Sequence, residues 1–187
     1  RLDAIQALAE VKAQPFDLIR MAVDDSNGPV RVRAVRLAGE TKLTEARELL
    51  VDLLQHETHE RVRMAAAEAL GNFDDDNTRE LLTKTLTDTS PLVQMGAAAG
   101  LALLGDKNML ARLADLAAKN EATVFKLMAV GIYGRLQDPA AIPFVEQLIE
   151  RYQATAATPQ DQDNLQNFRV ILDHLKYLER HKREGIL

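Results

Sequence analysis

One pattern constrains this chain more than any other. It is a helix-forming segment opened by Val-Arg, centred on Ala and closed by Leu-Gly, best seen in Glu60-Arg61-Val62-Arg63-Met64-Ala65-Ala66-Ala67-Glu68-Ala69-Leu70-Gly71. With Val62 as position zero, Ala66 is at +4 and Gly71 at +9. The frame also fits Val30, with Ala34 and Gly39, and Phe125, with Ala129 and Gly134. It fits Val93 with Ala97, although Ala102 stands where the glycine is expected. Zero positions at 30, 62, 93 and 125 are separated by steps of 32, 31 and 32 residues. Self-similarity at such a period signals a stacked array of supersecondary units.

Each column has a physical reason. Ala at +4 in all four copies lets two helices approach closely. Bulk at +7 and +8 (Leu37, Leu70, Leu101, Ile132 and Tyr133) and at +11 (Phe73, Leu104, Leu136) continues one apolar stripe. Spacings of 4, 7, 8 and 11 define one face of a helix. Between copies lies a second helical pattern: Leu49, Leu50, Leu53 and Leu54; then Leu81, Leu82 and Leu86; then Leu110, Leu113, Leu116 and Ala117; then Ile142, Val145, Leu148 and Ile149. Each unit is a helix pair, too small to bury its apolar surface alone and stable only when stacked on its neighbours. The expected fold is an all-α, right-handed solenoid.

The pattern of an acidic residue, Val-Arg, Ala and Leu-Gly resembles the HEAT-repeat family, in the short form of phycobilisome-lyase-like repeats. Asp25 with Val30-Arg31, Glu57 with Val62-Arg63 and Asp88 with Val93-Gln94 carry the likeness over residues 2–152. The fourth copy departs from it, with Asn120 and Phe125-Lys126. The resemblance implies an architecture and leaves activity open, because a shared fold does not carry a shared function.

The ends complete the expected layout. Residues 2–12 read as the second helix of a truncated unit, and Pro15 begins the next helix. Thr44, Asn77 with Glu80, Ser90-Pro91 and Asp138-Pro139 have the chemistry of helix starts. After the regular repeats of residues 1–152, Gln153–Thr158 is a polar connection. Thr158-Pro159 then opens a long helix bearing Leu165, Phe168, Ile171, Leu172, Leu175 and Leu178 and ending in Arg180-His181-Lys182-Arg183, cations that suit a helix C-terminus. This helix is expected to cap the array; the alternative is docking to a neighbouring domain. Residues 1–187 are expected to form a single domain. The chain starts at Arg1 without Met, and its opening resembles the tail of an earlier helix, so a piece of a longer protein is expected.

Composition narrows the function. A 47% hydrophobic content is enough for a core, whereas a net charge of −5 and the absence of Trp argue against a nucleic-acid binder. Arg31, Arg33, Arg36, Arg61 and Arg63 are the one basic cluster on two successive helices, and their expected role is structural. With no cysteine, neither a disulfide framework nor thiol chemistry is available. No apolar run reaches membrane-spanning length, and the compartment, cytoplasmic or periplasmic, stays open.

No catalytic residue, metal ligand or cofactor emerges. His56-Glu57-Thr58-His59-Glu60 has metal-ligand types, and hydroxylases of the deoxyhypusine type place His-Glu pairs on several repeat helices. Here a single unit carries them, at a turn, while a site needs three or four convergent ligands. The column Asp25, Glu57, Asp88 and Asn120, with Arg31, Arg63, Gln94 and Lys126, reads as a ladder of charges that aligns the repeats. Positions +2 and +6, opposite the core stripe, give Met64, Met95, Ala99, Leu127 and Gly131, which with Leu103 and Met128 make up the expected partner-binding surface on the concave side. Lateral packing between adjacent helices is the competing account of those residues. The expected function is a noncatalytic scaffold for a protein or peptide partner. The alternative is a role in an enzyme system such as a bilin lyase, which the repeat type resembles.

Overall fold

In a computed structural model, residues 15–120 and 122–185 are described, and among them every regular element is helical. The expected helix at residues 2–12 lies outside this range. The chain divides into two compact units, residues 1–106 and 107–187.

The first unit holds three helix pairs: α1 (Pro15–Val23) with α2 (Gly28–Thr41), α3 (Thr44–His56) with α4 (Glu60–Leu70), and α5 (Asp76–Thr85) with α6 (Pro91–Leu103). The second helices of the pairs are the Val-Arg segments. They stack directly, α4 packing on both α2 and α6. The Ala column lies at the centre: Ala34, Ala66 and Ala97 have no exposed surface. The approach between α4 and α6 is closer still. A Cβ on Gly96 would stand 2.2 Å from the Met64 carbonyl oxygen, one on Gly100 2.5 Å from that of Ala67, and one on Gly71 2.5 Å from that of Gly100. Backbone meets backbone along this seam, which side chains larger than hydrogen would prevent.

The second unit holds α7 (Asn108–Lys119) with α8 (Thr123–Leu136), and α9 (Ile142–Gln153) with α10 (Pro159–Arg183). A 3₁₀ turn, Pro139–Ala141, leads into α9. Here α10 packs on α8 and α9. Leu165, Phe168 and Leu175 are buried, and Ile171 lies against Gly134. The start of α10 is fixed by a reciprocal cap. Thr158 Oγ1 accepts from the Asp161 backbone N–H at 3.1 Å, and Asp161 Oδ2 accepts from the Thr158 N–H at 2.9 Å. Tyr152 donates to the other oxygen of Asp161 at 2.6 Å and accepts from Asn164 at 2.9 Å, tying the end of α9 to the start of α10.

Three helix starts differ from the sequence reading. Leu43 and not Thr44 takes the cap position of α3, without a side-chain bond. Asp75, ahead of Asn77, caps α5 by accepting from the Thr78 N–H at 2.9 Å, because Arg47 holds its carboxylate in place. Ser90 sits at the cap of α6 but gives its hydroxyl to Glu60 at 2.6 Å instead of capping.

The seam makes a paired prediction. Gly96→Ala gains about 1 kcal/mol of helix propensity. It forces a methyl group into a backbone carbonyl, an overpacking cost of about 3 kcal/mol. Urea denaturation should therefore show a net loss of stability. Gly131→Ala on α8, where only the flexible tip of Arg135 lies near, should be neutral or stabilising. The seam is contradicted if both substitutions raise stability alike.

Candidate functional site

The seam decides the fate of the expected partner surface. Met64, Met95 and Ala99 are 1%, 0% and 0% exposed. This corrects their assignment to an open concave face and agrees with the competing account, lateral packing between adjacent helices. Positions +2 and +6 do point away from the pair partner, but the neighbouring Val-Arg helices come so close that they cover that side as well. Val62 and Met64–Leu70 of α4 are all buried, and Arg63 between them is half-buried. At +6, Glu68, only 6% exposed, lies 3.6 Å from Arg36 Nη2. Leu103 at the end of α6 is 41% exposed. In the second unit Leu127 is 36% exposed, and Met128 and Gly131 are half-buried. The three residues of α8 thus remain at the surface as a local group.

The turns between paired helices share one geometry. Asp25 Oδ1 accepts from the Asn27 N–H at 2.8 Å, Glu57 Oε1 from the His59 N–H at 2.8 Å, and Asp88 Oδ1 from the Ser90 N–H at 2.7 Å. A long side chain six residues on then closes each turn through its backbone. Arg31 donates to the Asp25 carbonyl at 2.9 Å, Arg63 to that of Glu57 at 3.0 Å, and Gln94 to that of Asp88 at 2.7 Å. Gln replaces Arg here because an amide donor satisfies a carbonyl as well as a guanidinium does. Between turns, Arg31 Nε lies 3.7 Å from Glu57 Oε2, both side chains largely buried, and the Ser90–Glu60 bond links the next pair of turns. Burial pushes the Glu57 carboxyl up, but the His59 N–H, the Arg31 charge and Thr58 together outweigh it and leave it lowered. In the fourth copy Asn120 donates to the Leu116 carbonyl of its own helix at 2.7 Å, and Lys126 is half-buried on α8.

A second set of links escaped the sequence reading. Arg47 of α3 donates twice to Asp75 at 2.9 and 3.0 Å and to Thr78 at 3.1 Å. Arg79 of α5, at the same place one repeat later, donates to Asp74 at 2.6 Å and to the Leu104 carbonyl at 3.0 Å. In the second unit Lys107 pairs with Asp138. The signal was present in the repeat frame: Asp75, Asp106 and Asp138 fall at +13, and Arg47 and Arg79 at +17. The Arg47 guanidinium is the main reason the Asp75 carboxyl is held down at about 2, with partial burial opposing and Thr78 assisting.

The remaining candidates are absorbed by this framework. His56 contacts Asp52 at 3.0 Å, Glu57 serves its turn and Glu60 takes the Ser90 hydroxyl, so the His56–Glu60 cluster does not converge. Among the described residues no group of three His, Asp or Glu side chains could hold a metal ion. In the arginine cluster, Arg31 and Arg63 close turns, Arg33 lies 3.9 Å from Glu40 and Arg36 pairs with Glu68; Arg61 is exposed. Asp74 and Asp75 are bound to Arg79 and Arg47.

Helix pairs, a repeating turn and cross-pair links together define an α-solenoid. The family model of HEAT repeats matches residues 1–71, 16–90 and 62–130, so matches extend over residues 1–130 of the 187. The chain belongs to the HEAT-repeat family. It is similar in fold to human deoxyhypusine hydroxylase, solved in complex with glycerol, with a TM-score of 0.50 over 93% of this chain and 90% of that one. At 16% identity the likeness speaks for the fold alone. No curated protein sequence matches the chain.

Two predictions follow from the links. Glu57→Ala leaves the largely buried Arg31 without its carboxylate and should cost on the order of 2 kcal/mol in urea denaturation; an unchanged midpoint contradicts a role for this contact in aligning the turns. The second concerns pH. Because the folded-state value of Asp75 lies below its ordinary 3.8, the link contributes stability above about pH 4 and loses it as pH falls through about 2. Asp75→Asn should lower the melting temperature at pH 7 and flatten its fall between pH 4 and 2; an unaltered acid limb contradicts this.

Proposed function

We propose that this chain is a noncatalytic module that holds a protein or peptide partner on a helical surface. The HEAT-repeat match over residues 1–130 is the observation that carries the reading. It is supported by the way the polar residues with chemical potential are engaged. Glu57, Glu60, Asp74 and Asp75, with Arg79 and Arg47, brace turns and neighbouring helices, while His56 contacts Asp52 on its own helix, and this leaves a framework on which a partner surface can be held. The surface we assign is Leu127, Met128 and Gly131 on α8, the part of the expected apolar patch that stays accessible within one unit. Unbranched Met adapts to irregular partner shapes. Gly131 leaves room for close approach, with only the Arg135 tip near its Cβ direction. Among the described residues no helix is long and apolar enough to cross a membrane.

A photo-crosslinking residue in place of Leu127, compared with one in place of Met21 on α1, tests this. The reading expects one dominant protein adduct from position 127 in extract of the source cells, none from position 21, and its loss when Gly131→Arg is added. Adducts of equal spread from both positions, or none from 127, would falsify the assignment.

A further inference from the structure

We draw no further inference here: the strongest candidate, the groove of about 380 Å³ between α1 and α3 with Phe16 and Leu49 beside Glu45, Glu48, Asp52 and Arg20, is an acidic cluster beside apolar side chains, and nothing in the structure shows what covers it.

Discussion

The contact on which the first unit depends is the approach of α4 to α6. Helices whose facing positions carry Leu or Phe are held apart by those side chains. Here Gly71, Gly96 and Gly100, with Ala66 and Ala97 beside them, remove that spacer until carbonyl oxygens stand against Cα atoms. Within α6, Gly96 and Gly100 each cost about 1 kcal/mol of helix propensity, whereas Gly71 sits at the C-cap of α4. The offset comes from dispersion contacts along the seam and from the complete burial of Val62, Leu70, Val93 and Met95 around it. The same closeness removes Met64, Met95 and Ala99 from any partner surface. Stability and accessibility therefore trade against one another on this face, and here packing prevails.

Polar links complement the apolar seam at its ends. Each turn carries a carboxylate that accepts from the N–H two residues on and a long donor that returns to the turn carbonyl. A helix N-terminus leaves several backbone donors without partners, and a turn next to it must dispose of its own carbonyls as well. The Asp25, Glu57 and Asp88 turns solve both with the same two side chains. Arg47 with Asp75, and Lys107 with Asp138, do comparable work elsewhere, each within its own unit. The donor to a turn carbonyl need not be ionised, which is why Gln94 stands in for arginine without changing the geometry of its turn.

Much of this was legible in the sequence because it repeats. The period located the Val-Arg helices, the Ala column predicted their buried core, and Thr158-Pro159 marked the start of α10. What the sequence did not disclose depends on distance between helices. Periodicity says that +2 and +6 lie away from the pair partner; it does not say how near the next Val-Arg helix will come. Gly96 and Gly100 held that information, since two glycines four apart on an otherwise Ala-rich helix signal backbone contact. The Arg47–Asp75 link was hidden for another reason: its partners lie 28 residues apart and belong to columns +13 and +17, outside the apolar stripe that defined the frame. Ser90 looked like a cap by its chemistry, yet a carboxylate on the neighbouring turn competed successfully for its hydroxyl.

Methionine oxidation reports most directly on whether the seam is closed. Met21 is 72% exposed on α1, whereas Met64 and Met95 lie beneath the contact of α4 with α6. Under brief peroxide treatment of the folded protein, read by peptide mass spectrometry, Met21 should become the sulfoxide while Met64 and Met95 stay intact until denaturant opens the structure. Oxidation of Met64 and Met95 at the rate of Met21 in the folded state would contradict the account.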